Sequence, residues 1–180
     1  DTESTRRYEG DDRYDSMIKM NDDFLRDDLG DGLLLHPPTV EAVEAMMKGT
    51  HLPPDHVVCE MPPGFGIATV EKIAINSVMA GAKPEHFPVI IASVKALSMT
   101  GGRGGKSLLM STSPQAPFLM VNGPVTKELG FNPRSAIGPG RENITNTLVG
   151  RAFALCFRNI GYWYLGQMDM DTIGTSRKFI

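Results

Sequence analysis

Residues 138–152 have the sequence GPGRENITNTLVGRA, in which a turn bracketed by Gly138 and Gly140 leads directly into an amphipathic helix. Glycine adopts backbone angles that other residues avoid, so a ligand can approach the main chain closely at this turn. The first N–H groups of a helix lack intrahelical partners, and the helix dipole places partial positive charge beside them. Arg141 adds a planar, permanently charged donor. The stretch therefore predicts a site for a carboxylate, phosphate or oxyanion; the alternative is an ordinary loop with a polar cap.

Polar side chains continue along the first turns of this helix. We expect Arg141 to take part in catalysis, and we expect substrate to be bound by Gly138, Gly140, Asn143 and Asn146. Arg151 lies further along the helix and is expected to reach the same rim. In the alternative interpretation, the two amides satisfy the helix-start donors and the loop backbone.

A second set of candidate residues begins the predicted helix at 70–79, which Thr69 can cap. Lys72 and Asn76 are four residues apart and share a helix face. We expect Glu71 to act as a general acid or base while Lys72 or Asn76 holds a substrate oxygen. Alternatively, Glu71 is simply favourable near a helix start and Lys72 is solvated.

Outward from these sites, the spacing of apolar residues predicts helices at 14–29, 40–47, 70–79, 85–97, 125–129 and from the Gly-Pro-Gly turn to about 159. Short strands are predicted at 56–61, 108–112 and 117–121. The last strand leads into Asn122 at an Asn-Gly-Pro turn, a position that often lines clefts in α/β folds, so Asn122 is a further substrate-binding candidate. The long C-terminal helix is predicted to bury a stripe formed by Ile144, Leu148, Ala152, Leu155, Cys156 and Ile160.

These elements predict a single α/β domain over residues 14–180, with a small mixed sheet flanked by helices. Residues 1–13 are polar and nearly free of large apolar groups, which predicts a mobile acidic arm. A chain of 180 residues with 41% hydrophobic residues is long enough for one real core.

The distribution of charge and the composition argue against a nucleic-acid-binding protein and against a membrane-spanning protein. Residues 1–31 carry eleven acids and five bases, whereas the remainder carries ten acids and thirteen bases. That modest basic excess is not the concentrated basic face of a nucleic-acid binder, but it suits a small anionic ligand. The chain has no apolar window of about 20 residues and no secretory leader, so we expect a cytoplasmic protein that does not span a membrane.

Neither the cysteines nor the histidines show the spacing of metal ligands. Cys59 and Cys156 are far apart and lie in apolar runs, which predicts inert core thiols. His36, His51, His56 and His86 are expected to be surface or packing residues. We therefore predict no metal site, and the sequence names no cofactor.

Residues 101–107, GGRGGKS, imitate a phosphate-binding P-loop in their last three positions. The P-loop pattern needs a glycine where Thr100 stands, a strand before the loop and a helix after it. Here the preceding segment has helical spacing, and Pro114 and Pro117 interrupt any helix that follows. We interpret the segment as a flexible loop beside a site rather than as a nucleotide-binding loop.

Several phrases of the sequence occur together, in this order: Asp31-Gly32-Leu33 leading to Pro37-Pro38-Thr39, ATVEKIAIN at 68–76, VMAG at 78–81, MVNGP at 120–124, Leu129-Gly130, and the 138–152 stretch. Over roughly residues 31–176 this set resembles the N-terminal portion of the selenocysteine-Gly-Ser-Cys (UGSC) family of thiol or selenol oxidoreductases. The chain departs from that family at Ala82, where members often have cysteine, and near residues 175–177, where members have His-Pro-Gly. It also contains no redox signature.

The resemblance implies an enzyme subunit in a hetero-oligomer, acting on a small oxygen-rich or anionic substrate in a reductase or bond-cleaving reaction. A second polypeptide carrying the family's C-terminal region would supply the thiol or selenol nucleophile; the chain could equally be a fragment of a processed precursor. Two alternatives stay open at this point. One is a non-catalytic structural or regulatory subunit, and the other is a self-contained hydratase or lyase that uses Glu71.

Overall fold

The computed structural model describes residues 5–99 and 109–174, and within those ranges helices surround one β-hairpin. Short 3-10 turns at Pro84–His86 and Arg141–Asn143 lead into two of the helices. In chain order the α-helices and strands are α1 (Arg13–Arg26), α2 (Val40–Met47), β1 (Val57–Met61), β2 (Gly66–Thr69), α3 (Val70–Met79), α4 (Phe87–Met99), α5 (Val125–Glu128) and α6 (Ile144–Asn159).

Local capping explains where two helices begin. The Thr39 hydroxyl accepts a hydrogen bond from the amide of Ala42 at 3.2 Å, and the Thr69 hydroxyl accepts one from the amide of Lys72 at 3.3 Å. Each cap satisfies an amide that has no partner inside its helix. The predicted bounds of α2 and α3 are therefore confirmed.

The sheet consists, within the described residues, of the antiparallel pair β1 and β2. The predicted class, a single α/β domain with a small sheet and flanking helices, is confirmed. The predicted strands at 108–112 and 117–121 are wrong, because no described residue there pairs in a sheet. Residue 108 and the loop at 101–107 lie outside the described residues.

The packing of α3 against α6 forms the centre of the core. Seven of the ten residues of α3 are buried, among them Val70, Ile73, Ala74 and Val78. At the C-terminal end of α6, the Asn159 amide donates a 2.6 Å hydrogen bond to the Asn76 side-chain oxygen. One turn later in α3, the carbonyl of Met79 accepts from the amide of His36, while Arg151, earlier in α6, contacts the carbonyls of the nearby Leu33 and Leu34. As α3 runs forward its neighbours thus move back along α6, so the two helices run antiparallel.

The buried stripe of α6 differs from the prediction in its first two turns. Ala152, Leu155, Cys156 and Ile160 are buried as predicted. Ile144 is exposed and Leu148 half-buried, while Val149 and Phe153 are buried instead. The reason is that the inner side of the first turn packs a polar residue: the buried Thr145 hydroxyl donates a 2.7 Å hydrogen bond to the carbonyl of Leu129.

Part of the predicted N-terminal arm is folded back on α1. Arg6 pairs with Asp27, the Tyr8 ring contacts the Phe24 ring edge-on, and Lys19 donates to the carbonyl of Glu9 at 3.2 Å. Tyr8 and Phe24 also pack against the core. Residues 1–4 lie outside the described residues, and the mobility of the arm stays a prediction.

The hairpin packs so closely on the C-terminal end of α6 that there is no space for a side chain at Gly66. A Cβ atom added to Gly66 would lie 1.9 Å from the carbonyl oxygen of Ile160, and one added to Gly161 would lie 2.5 Å from that of Pro62. Backbone oxygens held in a core cannot move aside as a flexible side chain can. Glycine at these positions therefore sets how closely the hairpin closes on α6.

We expect Gly66→Ala to lower the free energy of unfolding by about 1–3 kcal/mol, because the added methyl group overpacks this contact. Urea denaturation followed by circular dichroism measures the change. Gly138→Ala is the matched control, since a Cβ there meets nothing within 4 Å, and it should change stability by less than about 0.5 kcal/mol. Equal effects of the two substitutions would contradict the packing described here.

Candidate functional site

The Gly-Pro-Gly turn and Arg141 lie on the surface before α6. Gly140 has a φ of 157° and precedes the Arg141–Asn143 turn, whose last amide donates to the Gly140 carbonyl at 3.1 Å. Arg141 is exposed and forms no ion pair with any described residue. Its guanidinium is therefore available to a ligand or to a partner chain.

Asn143 and Asn146 face inward, toward the segment at residues 131–136. The Asn143 amide donates to the carbonyl of Ala136 at 2.8 Å, and its oxygen accepts from the Asn132 side chain at 2.6 Å. The Asn146 oxygen accepts from the backbone amide of Asn132 at 2.8 Å, and its amide donates to the Asn132 carbonyl at 3.3 Å. Both side chains thus bond to loop backbone, as one half of the alternative interpretation has it, but Asn143 forms no side-chain bond that caps α6.

Asn132 is the residue of this region that the sequence analysis did not single out. Besides its bonds to Asn143 and Asn146, its side-chain oxygen accepts from the amide of Arg134 at 3.0 Å, and its side-chain amide donates to the carbonyl of Ser135 at 3.1 Å. An asparagine that bonds to the backbone two residues later is typical of a tight turn. The Asn-Pro dipeptide at 132–133 was the local signal for that turn.

A surface cleft opens beside this asparagine network. We call it the α5 cleft; its volume is about 580 Å³, and its lining includes Lys127, Phe131, Asn132, Arg134, Ser135 and Glu142. It adjoins the predicted stretch at Glu142 but is not lined by Gly138, Gly140, Arg141, Asn143 or Asn146. The concave surface near the predicted site therefore lies on the α5 side of the loop.

Arg151 is turned away from this region and clamps the N-terminal part of the chain. Its guanidinium donates to both carboxylate oxygens of Asp31, at 2.7 and 3.0 Å, and to the carbonyls of Leu33 and Leu34. The pair is mostly shielded from solvent. A bidentate guanidinium–carboxylate pair fixes geometry as well as charge. Arg151 therefore acts in the structure as a clamp between α6 and residues 31–34.

Glu71, Lys72 and Asn76 lie at the opposite end of the α3–α6 pair. Glu71 is exposed in the first turn of α3, and the Lys72 ammonium donates to the carbonyl of Ile67 at 3.2 Å. Asn76 is buried against α6, where it contacts Asn159. A helix of the length of α6 spans about 24 Å, and Arg141 precedes its other end. The structure does not bring Glu71 and Arg141 into one site.

Asn122 is exposed just before the turn at Gly123, whose carbonyl accepts from the hydroxyl of Thr126 at 2.8 Å. Because residues 117–121 are not part of the sheet, Asn122 does not lie at the end of a strand as predicted. It forms no hydrogen bond with another described residue. The structure therefore places it apart from the asparagine network and from the lining of the α5 cleft.

Both thiols of the chain sit in apolar surroundings. Cys156 is fully buried, and burial raises the pKa of its thiol strongly. Cys59 is half-buried, and partial burial raises the pKa of its thiol as well, with a smaller contribution from the Glu60 carboxylate. Because the thiolate is the nucleophile, these shifts make both cysteines poor nucleophiles at neutral pH.

We expect Asn143→Ala to destabilise the chain by about 1–3 kcal/mol, because it leaves the Ala136 carbonyl and the Asn132 amide without their partner. Ala136 has a φ of 55°, so its left-handed conformation also loses support. Arg141→Ala, two residues away and exposed, is the control and should cost less than about 0.5 kcal/mol. Thermal and urea unfolding measure both. If Asn143→Ala leaves the free energy of unfolding unchanged, the asparagine network does not stabilise the loop.

Among the described residues, no group of three or more His, Cys, Asp or Glu side chains could hold a metal ion. None of the described helices combines the length and apolar composition needed to cross a bilayer. Searches against protein-family models, curated proteins and solved structures find no match to this chain. The resemblance to the UGSC family therefore stays a prediction.

Proposed function

We propose that this chain is a subunit of a hetero-oligomeric enzyme that acts on a small oxygen-rich or anionic substrate. The observation that carries the proposal is the exposed guanidinium of Arg141, which forms no ion pair with a described residue, in a stretch of sequence that also exposes Ile137 (51%) and Ile144 (59%). Apolar exposure around a charged residue is typical of a surface that a partner covers. Arg141 would then meet substrate where the two chains join.

A second surface supports an assembly. Residues 117–121 lie outside any helix or strand and alternate in exposure as an extended segment would: Phe118 and Met120 are 79% and 75% exposed, while Leu119 packs on the core. No backbone hydrogen bond joins this segment to another described residue. An extended segment with a free backbone edge is a template for pairing with another chain.

The chemistry of the two cysteines supports a nucleophile on another polypeptide. Cys156 is buried and Cys59 half-buried, and burial raises both pKa values, so neither suits thiol catalysis. The thiol or selenol of the proposed reductase or bond-cleaving reaction would therefore come from the second chain.

A non-catalytic structural or regulatory subunit is the second candidate function. It is favoured by the inward-facing amides of Asn143 and Asn146, which bond to the loop rather than point toward solvent. The self-contained hydratase or lyase receives no such support, because Glu71 is exposed and does not share a site with Arg141.

Partner capture tests the assembly. We expect Ile144→Asp to abolish co-purification of a second polypeptide with the tagged full chain, because a charge at this position opposes burial in an interface. Val40→Asp is the matched control, since Val40 is also the first residue of its helix and 56% exposed. Native mass spectrometry identifies the bound chain. A complex that survives Ile144→Asp, or no complex with the unmodified chain, would contradict the proposal.

Turnover in the reconstituted complex separates the two candidate functions. If Arg141 contacts substrate, Arg141→Ala should lower kcat/KM by at least about tenfold, the loss expected for one charged hydrogen bond. Assembly, followed by size-exclusion chromatography, should be unchanged. Lys48→Ala, which removes an exposed cation from the end of α2, is the control. Unchanged turnover in Arg141→Ala would favour the structural subunit.

A further inference from the structure

We infer that the α5 cleft binds the anionic group of a small molecule that also carries an apolar or aromatic body. This inference takes its ligand class from the proposed function, but it places the binding groups on this chain alone. The cleft, of about 580 Å³, is shallow and open to solvent, so a small organic anion can lie along it without being enclosed.

Two cations line the cleft without being neutralised. Lys127 and Arg134 are both exposed, and neither forms an ion pair with a described residue. They approach the cleft from different elements, Lys127 from α5 and Arg134 from the following loop. Arginine presents a planar fork that fits carboxylate and phosphate, and lysine adds a mobile point charge.

The wall that carries Arg134 is held in place before any ligand arrives. Asn132 accepts from the backbone amide of Arg134 and donates to the carbonyl of Ser135, and α6 holds Asn132 through Asn143 and Asn146. A loop fixed in this way loses little conformational entropy on binding. The asparagine network of the predicted site therefore positions the neighbouring cleft.

The remaining lining restricts the ligand further. Phe131 is half-buried, packs on the core and also borders the cleft, where it offers an apolar contact. Glu142 is the one carboxylate among the lining residues, and it would repel a second anionic group while accepting a hydrogen bond from a hydroxyl or amine. A single oxyanion attached to an apolar or aromatic body with a hydrogen-bond donor fits this combination.

Titration of the full chain with phenyl phosphate, followed by amide signals in NMR spectra, tests the inference. We expect saturable shifts centred on Gly130, Arg134 and Ser135, and tighter binding of phenyl phosphate than of inorganic phosphate because of the Phe131 contact. Lys127→Gln and Arg134→Gln should each weaken binding by about three- to tenfold. Lys95→Gln and Lys48→Gln, which remove exposed cations elsewhere, should leave binding unchanged.

Three outcomes would overturn the inference: no saturable shift, shifts spread over the basic surface, or equal loss of affinity in the control variants. Equal affinity for inorganic phosphate would overturn the apolar part of the ligand. The titration needs no partner chain, so it can succeed where partner capture fails. Conversely, if a partner is captured but phenyl phosphate causes no saturable shift, ligand binding in the cleft is contradicted while the proposed function is not.

Discussion

The antiparallel packing of α3 against α6 is the constraint on which the other elements depend. The hairpin closes on one end of the pair, where Gly66 leaves no room for a side chain against Ile160. Residues 31–36 dock at the other end through Arg151 and Met79. Because a rigid pair of helices separates these two ends, the candidate residues divide between them. The end that begins α6 combines unpaired cations with a concave surface.

Local signals in the sequence were sufficient for the bounds of α2 and α3, whereas α1 ends three residues before its predicted end and α4 is displaced by two residues. The threonine caps and the apolar spacing predict α2 and α3 at their observed bounds. The strands were harder, because a strand depends on a partner far away in the chain as well as on its own residues. Residues 117–121 have the alternation of a strand but no sheet to join, whereas no strand was predicted at Gly66–Thr69, which pairs with β1.

In the candidate site too, the sequence shows which residues are close together in the chain but not which distant residues they contact. Polar residues concentrate at 138–146 in the sequence, but the sequence could not show which groups they contact. Asn143 and Asn146 bond to Asn132, which lies eleven and fourteen residues earlier. Arg151 bonds to Asp31, which no local pattern connects to it. Hydrogen-bond partners such as these are decided by the fold, because the side chains meet only after the helices have packed.

The clamp between Arg151 and Asp31 joins residues 120 positions apart. During synthesis, Asp31 leaves the ribosome long before Arg151 has been added to the chain. The clamp can therefore form only after α6 has emerged, whereas the bond from His36 to Met79 can form as soon as α3 is complete. Contacts with such large sequence separation slow the folding of a domain. The clamp is thus among the last contacts that a growing chain can complete.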